Sequence, residues 1–242
     1  MMQRAERGAW SCTRFLTPRE AHLARSFAGG AQGDVQVLSF GGYAEAERVK
    51  LFVLPEYMSE PEYSAPLLEQ EISLLALRGG GFCTLTHRDY LGALLALGIE
   101  RHVLGDLCVL DDSHALLFCE SGIAAYICAE LTRVGKDGIK VEQLPLSTPF
   151  TLPERYQSVT DTVASARFDC IAAALTGLSR EKAQMLIRQG ECTVDYEFCD
   201  RCDRLIEPPQ VISLRGYGKF RIDDVSTQTK KGRLRLYASK YI

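Results

Sequence analysis

The sequence lacks long apolar runs and has few of the residues that most often bind metals. No stretch of about eighteen apolar residues occurs, so no transmembrane helix is predicted, and the first residues lack the apolar core of a signal peptide. Only four histidines are present, which leaves little material for a metal centre. We therefore expect a cytoplasmic protein with no membrane partner and no cofactor.

The nine cysteines are an odd number, and several lie inside apolar stretches. This suits reduced, buried thiols in a reducing compartment better than a disulfide framework. Cys199 and Cys202 have the C-x-x-C spacing of zinc ligands, but no second pair of that spacing and no nearby histidine accompany them. We expect a polar turn between strands and no metal site, with a zinc module as the alternative.

Motifs of nucleotide-using enzymes are incomplete in this sequence. His87, Arg88 and Asp89 match the start of a kinase catalytic loop, but Leu94 stands where that loop has asparagine. Neither the glycine-rich loop nor the metal-binding Asp-Phe-Gly of kinases occurs. The glycine run at residues 78–82 lacks the G-x-G-x-x-G spacing of a dinucleotide site. We therefore expect a binding protein and not an enzyme.

The same triplet has a structural explanation. Thr86 is predicted to cap a helix over residues 86–98, and Asp89 lies where its carboxylate can bond the amide of the cap residue. His87 and Arg88 would then lie on the exposed first turn of that helix. There they can meet a phosphate group.

Residues 1–65 are predicted to form an N-terminal helix-and-strand domain. Thr17 and Glu20 make a capping box with Pro18 at the first helical position, which predicts that a helix begins there. Two strands are predicted next, over residues 35–40 and 48–54. The proline-containing stretch at residues 54–66 then predicts a loop that ends this domain.

Residues 66–150 change element type in the order β-α-β-β-α-β. This is the order of a ferredoxin-like fold and of the common RNA-recognition sheet. The strands carry no aromatic signature of the usual RNA-recognition motif, so the order indicates a fold more than a function. Together with the flanking domains, it makes α+β the expected fold class.

Residues 160–242 are expected to form a third domain, after a proline-containing segment without periodicity. A helix is predicted over residues 163–175 and is followed by a Thr-Gly break. Ser179 is predicted to cap a second helix, which Gly190 ends. The unit is therefore helix, tight turn, helix and then strand.

Basic residues are concentrated in this third domain. Arg180, Gln184 and Arg188 recur at every fourth position and predict a row on one face of the second helix. Residues 211–242 carry eight Lys and Arg against two Asp, which indicates a polyanion-binding face. Arginines and leucines alternate within residues 229–236, so the arginines should share the solvent face of a strand. A merely solvated charged surface is the alternative.

Two segments of this domain, residues 166–196 and 211–220, resemble the RNA-binding domain first described in ribosomal protein S-four. In that family two helices form an L-shaped surface that fits structured RNA, and a Ser-Arg pair at the start of the second helix lies on the contact face. Residues 208–210 read Pro-Pro-Gln, where the family usually has Gly-Asp before the strand. The resemblance implies an S-four-like domain with a different turn at this point.

The candidate RNA-binding residues come from the two helices and from the basic tail. Five carry over from the S-four resemblance: Arg167, Ser179, Arg180, Lys182 and Arg188. The others are Gln184 on the helical row and seven residues of the tail: Arg215, Lys219, Arg221, Lys230, Lys231, Arg233 and Arg235. His87 and Arg88 are secondary candidates. We expect Arg180 to project into solvent beside the helix N-terminus, so that its removal would leave folding nearly intact.

Several separated motifs are similar to the YlmH family of bacterial RNA-binding proteins, over nearly the whole chain. They are LTPRE, ERVKLFVLPEY, LTHRDYLGALLALGIERHVLGDLCV and SLRGYGKFRIDDVSTQTKKGRLRL. The resemblance implies a ribosome-associated protein that binds structured rRNA and tRNA on the large subunit. It further implies peptidyl-tRNA and a tail-elongation rescue factor as partners, in the rescue of stalled nascent chains.

Some enzymes also carry S-four-like modules, among them pseudouridine synthases, an RNA methyltransferase group and tyrosyl-tRNA synthetase. The ATP-binding motifs of the synthetase are missing here, and so is the aspartate-bearing catalytic segment of a pseudouridine synthase. An RNA-modifying enzyme that uses the S-four-like domain to bind its substrate is therefore the runner-up.

Overall fold

The structure, a computed structural model, describes residues 1–28, 35–58, 61–153, 156–230 and 232–241. Its helices and antiparallel sheets confirm the predicted α+β class. The chain divides into a first unit, Met1–Pro153, and a second unit, Glu154–Ile242.

The first unit contains the helices and strands expected at residues 1–65 and 66–150, together with one further helix and several short elements. In chain order they are α1 (Met2–Glu6), β1 (Ser11–Cys12), α2 (Pro18–Ala28), β2 (Val35–Phe40), β3 (Lys50–Pro55), α3 (Pro61–Glu71), β4 (Ile72–Gly79), α4 (His87–Ala96), β5 (Leu104–Val109), β6 (His114–Glu120), α5 (Ser121–Glu130), β7 (Arg133–Val134) and β8 (Asp137–Leu144). One sheet has the order β1-β3-β2, and a larger one has the order β5-β6-β4-β8-β7. Each neighbouring pair in both sheets is antiparallel.

Side-chain caps begin two of these helices, as predicted. The amide of Thr17 donates to Glu20 Oε2 at 2.7 Å, and α2 follows. The amide of Thr86 donates to Asp89 Oδ2 at 2.9 Å, and α4 follows. These bonds satisfy amides that have no partner within the helix. Asp89 therefore has the structural role expected of it.

The larger sheet is covered on both faces. On one face, Leu75 and Leu77 pack in a core with Tyr90 and Leu94 of α4 and with Ile127 of α5. Because side chains alternate along a strand, the neighbouring residues of β4 point to the other face. There Leu74, Ala76 and Phe118 pack in a second core with Phe15 and Phe52 from the N-terminal part of the chain. The segments expected as two domains, residues 1–65 and 66–150, thus share a core.

The prediction of a loop at residues 54–66 is wrong. A short 3-10 turn spans Glu56–Met58, and α3 begins at Pro61. The N–H of a residue at the first helical position has no hydrogen-bond partner within the helix. Proline, which has no N–H, is therefore favoured there. The prolines were interpreted as loop residues, although one of them marks a helix start.

The second unit combines two helices with one sheet. Its elements are β9 (Tyr156–Val163), α6 (Phe168–Thr176), α7 (Arg180–Arg188), β10 (Cys192–Val194), β11 (Glu197–Phe198), β12 (Val211–Leu214), β13 (Gly218–Asp224) and β14 (Leu234–Tyr241). The sheet order is β11-β10-β12-β13-β14-β9, again with antiparallel neighbours.

Two boundaries in the second unit differ from the sequence prediction. The segment interpreted as a linker contains β9, which pairs with β14 along its whole length. The helix expected from residue 163 begins only at Phe168, because Val163 ends β9. Polar residues occupy most of β9, so it lacks the apolar alternation that would have identified it.

One face of this sheet packs on the two helices. Phe220 and Ile222 of β13 and Leu236 of β14 share a core with Ile171 of α6 and Ile187 of α7. As predicted, Leu236 is buried and Arg235 is exposed. The outward residues of β13 and β14 therefore lie on the face away from the helices.

Within the part of the chain that the structure describes, we find no helix long and apolar enough to cross a membrane.

The shared core of the first unit is tested by replacing Gly42 with alanine. Gly42 has a φ of +106°, and an added Cβ would lie 2.2 Å from Phe118 Cδ1. We expect Gly42→Ala to lower the free energy of unfolding by about 2–3 kcal/mol, because both backbone and ring must move. Gly92 in α4 has open space around it. Gly92→Ala should therefore leave stability unchanged or raise it slightly in urea unfolding. Equal stability of the two variants would contradict this packing.

Candidate nucleic-acid interface

The α6–α7 pair is shaped by the residues at the ends of its helices. Arg167 is the N-cap residue of α6, and Gly177 ends that helix in the left-handed conformation with a φ of +70°. Ser179 caps α7 as predicted, with its hydroxyl accepting from the amide of Lys182 at 3.4 Å. A tight turn thus brings the start of α7 towards α6.

A buried carboxylate joins the two helices. Asp169, in the first turn of α6, has a fully buried side chain, with an exposed fraction of 0%. Arg180 donates to its Oδ2 through Nε at 3.0 Å and Nη2 at 2.9 Å. Gln184 Nε2 donates to the same oxygen at 2.7 Å. Arg167 donates through Nε to Oδ1 at 3.2 Å and through Nη2 to Oδ2 at 3.3 Å. We call this group of four residues the Asp169 cluster.

The Asp169 cluster keeps its carboxylate ionised. Burial of Asp169 raises its pKa, but the hydrogen bonds from Arg167, Gln184 and Arg180 lower it by more. The pKa of Asp169 therefore lies well below the ordinary 3.8. A negative charge is present in the cluster at every physiological pH.

Both arginines of the Asp169 cluster keep contact with solvent. The exposed fraction of the side chain is 52% for Arg180 and 38% for Arg167. Arg180 uses Nε and Nη2 on the carboxylate, and a guanidinium has further N–H donors beyond these. The carboxylate thus fixes the plane of each guanidinium while leaving one edge turned outwards. Such an edge can hold a phosphate oxygen, and the flat face of the guanidinium can stack on a base.

The structure corrects two expectations about α7. Gln184 is not part of an outward row, because its amide turns inwards to Asp169. Arg180 does project beside the helix N-terminus, but it is anchored to Asp169 and is not a solvated arginine. Lys182 and Arg188 are exposed on α7. The helical candidates Arg167, Ser179, Arg180 and Gln184 therefore gather around the start of α7, and Asp169, which was not predicted, holds three of them.

The strand candidates lie on the opposite face of the second unit. Lys219 and Arg221 alternate with the core residues of β13, and Arg235 alternates with Leu236 on β14. All three therefore point away from α6 and α7, because strand side chains alternate between faces. The basic row expected on α7 and the polyanion-binding face expected from residues 211–242 are therefore on opposite faces of the second unit.

Aromatic side chains accompany the cations on this outer face. Lys219 Nζ lies 4.3 Å from the ring centre of Tyr241 and 5.2 Å from that of Tyr196. The guanidinium carbon of Arg221 lies 5.0 Å from the ring centre of Tyr156, and Arg221 Nε also donates to Asp223 at 2.8 Å. These tyrosines were not predicted as site residues. The strand register explains the position of two of them, because Tyr156 and Tyr241 face each other across β9 and β14.

The remaining tail candidates lie at the ends of strands or near them. Arg215 Nη1 donates to Glu191 Oε1 at 2.8 Å, and Arg235 Nη1 donates to the Tyr237 hydroxyl at 3.3 Å. Arg233 donates to the carbonyl of Thr162. Lys230 is exposed in the turn before β14, whereas Lys231 lies outside the described residues.

The secondary candidates His87 and Arg88 belong to the first unit. Both are exposed in the first turn of α4, where the capping bond of Asp89 begins the helix. They are not part of the Asp169 cluster, which lies in the second unit.

The C-x-x-C cysteines lie in the polar segment between β11 and β12, where Cys202 is in a turn as expected, but both side chains are buried. Cys199 and Cys202 are part of the core of the second unit, together with Cys170 and Cys192. Burial raises the pKa of the Cys192 thiol to about 11. Over the described ranges of the chain, no three His, Cys, Asp or Glu side chains are arranged to hold a metal ion.

Comparison with known proteins gives two matching family models. Residues 1–58 match a model described as "YlmH, N-terminal", and residues 69–148 match "Putative RNA-binding domain in YlmH". A protein of Bacillus subtilis (strain 168), named ribosome-associated protein quality control protein P2, is 30% identical over 225 residues. That alignment covers 93% of this chain and 84% of the relative. A solved structure of cell division protein ylmH from Streptococcus pneumoniae has 21% identity and a TM-score of 0.49, over 60% of this chain and 84% of that one.

The charge of Asp169 predicts a pH-dependent stability. Asp169→Asn should lower the free energy of unfolding by about 1–3 kcal/mol at neutral pH, because an amide accepts fewer of the cluster's hydrogen bonds. The folded-state pKa is below the ordinary 3.8, so the carboxylate's stabilisation is complete above that value and is lost as the pH falls below it. Urea unfolding of both proteins across pH should show a gap that is constant near neutrality and shrinks in acid. A gap that is independent of pH would exclude a role for the charge.

Proposed function

Because the chain belongs to the YlmH family, we propose that it is a ribosome-associated RNA-binding protein. The name of the Bacillus subtilis relative supports ribosome association, since that relative aligns with most of this chain. The model matched by residues 69–148 supports RNA binding. The observation in this molecule that carries the proposal is the pair of half-exposed arginines oriented by buried Asp169.

We propose more specifically that the RNA is structured rRNA and tRNA on the large ribosomal subunit. In this proposal the protein acts in ribosome-associated quality control, on subunits that carry peptidyl-tRNA, together with a tail-elongation rescue factor. The name of the relative and the S-four-like motifs support this role. The ferredoxin-like and S-four-like names for the domains belong to the same proposal and rest on the element order and those motifs.

The principal RNA contact is proposed at the Asp169 cluster. A guanidinium whose plane is fixed binds phosphate with less loss of side-chain entropy than a freely moving lysine. Arg167 and Arg180 are fixed by the same carboxylate, so they present their donors as one unit. Lys182, exposed in the first turn of α7, adds positive charge there, where the helix dipole also favours an anion.

The alternative of an RNA-modifying enzyme makes a different prediction. Such an enzyme would bind a methyl-donor or nucleotide cofactor, whereas we propose binding without catalysis. Calorimetric titration of the purified protein with these cofactors separates the two proposals.

Replacing Arg180 tests the proposed contact. We expect Arg180→Ala to reduce association with isolated large subunits at least ten-fold, in keeping with about 1.5–3 kcal/mol for hydrogen bonds to a charged group. Arg180→Lys should restore only part of the loss. A lysine ammonium has no planar group that can bond the carboxylate with one edge and a phosphate with another. The stability cost of Arg180→Ala should be about 1 kcal/mol, more than for an ordinary surface arginine, since Asp169 loses two hydrogen bonds.

Arg201 provides the matched control for this experiment. Its side chain is 73% exposed, and its ion pair with Asp203 is loose at 3.7 Å. Arg201→Ala should leave both stability and large-subunit association unchanged. Sedimentation at several salt concentrations measures the association. If Arg180→Ala sediments with large subunits as well as the parent, the Asp169 cluster is not the RNA contact.

Variants of three basic residues that precede β14 test the contribution of the basic tail. Neutralising Lys230, Lys231 and Arg233 together should weaken RNA binding and flatten its dependence on salt, because each lost phosphate contact removes about one released counterion. Arg201→Ala again serves as the reference. The slope of log affinity against log salt concentration is the quantity measured. An unchanged slope would show that these three residues make no phosphate contact.

A further inference from the structure

The RNA-binding model matches residues 69–148, yet the sheet in this region has no open face. In an RNA-recognition sheet, bases stack on the face that the helices leave free. Here that face carries Leu74 and Phe118, which pack against Phe15 and Phe52. RNA bound to this region must therefore use an end or an edge of the sheet. This step rests on the proposed function.

One end of the sheet carries basic residues side by side. Arg78 of β4 is the cross-strand neighbour of His114 on β6 and of Lys140 on β8. All three side chains are exposed. His114 Nδ1 lies 2.8 Å from Asp111 Oδ1, so the net positive charge of this row comes from Arg78 and Lys140.

The loop that follows Arg78 is held in place by a second buried carboxylate. Asp137, with an exposed fraction of 0%, accepts hydrogen bonds from the amides of Gly80 at 3.1 Å, Gly81 at 3.0 Å and Phe82 at 3.2 Å. A Cβ on Gly80 would lie 2.8 Å from Asp137 Oδ1, so the amides approach this closely only because the residue is glycine. The loop at residues 79–83 is therefore ordered by its own anchor.

The anchored loop presents an aromatic ring to solvent. Phe82 is 90% exposed, although a phenyl ring is normally drawn into a core. A Cβ on Gly80 would lie 3.0 Å from Phe82 Cε2, so the ring lies over the glycine backbone. Lys136 precedes Asp137 and is exposed, as is Arg88 in the following helix. The ring thus lies on an ordered loop that is flanked by exposed cations in the chain and across the Asp137 anchor.

We propose that the loop at residues 79–83 is an RNA-binding site in its own right, with Phe82 stacking on an unpaired base. Arg88 and Lys136, which flank the loop and its anchor, hold the phosphates beside that base, and Arg78 and Lys140 add positive charge at the same end of the sheet. An aromatic ring flanked by cations is the arrangement that binds single-stranded RNA without reading its sequence. These cations favour RNA over an apolar protein partner, because such a partner would leave them without counter-charges.

Variants of Phe82 in the full chain test the proposal, with a short single-stranded oligoadenylate as the probe. Phe82→Ala should weaken binding of the probe about ten-fold, in keeping with one stacked base. Phe82→Leu keeps apolar surface but no π face and should lose as much, whereas Phe82→Trp should bind at least as well. The indole of Phe82→Trp should also lose fluorescence when the probe is added, relative to the parent, whose one Trp is Trp10.

Phe27 provides the control, since it is 83% exposed and lies on a helix, α2. Phe27→Ala should bind the probe as the parent does. Parent-like binding by Phe82→Ala overturns the proposal. Loss of large-subunit association by Phe82→Ala, without loss of probe binding, also overturns it and indicates a protein contact. If Phe82→Ala overturns this proposal but Arg180→Ala still reduces association with large subunits, the proposed function stands. If both variants behave as the parent does, the RNA site at Phe82 and the proposed function are both refuted.

Discussion

The second unit depends on one buried carboxylate, that of Asp169, which needs cationic partners. An ionised side chain without solvent is costly unless hydrogen bonds compensate for its lost hydration. Asp169 obtains them from Arg167 just before α6 and from Arg180 and Gln184 on α7. One charge therefore joins the start of α6 to α7 and sets the directions of two guanidiniums. Structural stability and the proposed RNA contact share the same interaction.

Strand geometry then decides which cations can act together. Lys219 and Arg221 face away from the helices because Phe220 and Ile222, which alternate with them, are needed in the core. On that outer face the cations lie against tyrosine rings such as Tyr241. The helical and outer faces can therefore contact different parts of a large RNA, and a single flat contact cannot include both.

Local patterns predicted much of this structure, and long-range contacts account for what they missed. Capping boxes at Thr17 and Thr86 gave correct helix starts because caps act within one turn. The strand β9 was missed because its polar residues satisfy the sheet through their backbone, with no apolar alternation to reveal it. Asp169 was missed because two of its three partners, Arg180 and Gln184, lie 11 and 15 residues further along the chain. An acid within the apolar segment ARFDCIAAAL was nevertheless a signal that a cationic partner must be near.

A double-mutant cycle tests most directly whether Asp169 serves RNA binding through Arg180. Affinity for isolated large subunits is measured for Asp169→Asn, Arg180→Ala and the double variant, under conditions where circular dichroism shows all three folded. If the carboxylate acts by orienting the guanidinium, Asp169→Asn weakens binding on its own, yet adds almost nothing once Arg180 is absent. Parent-like affinity of Asp169→Asn, or losses that simply add, would contradict the account.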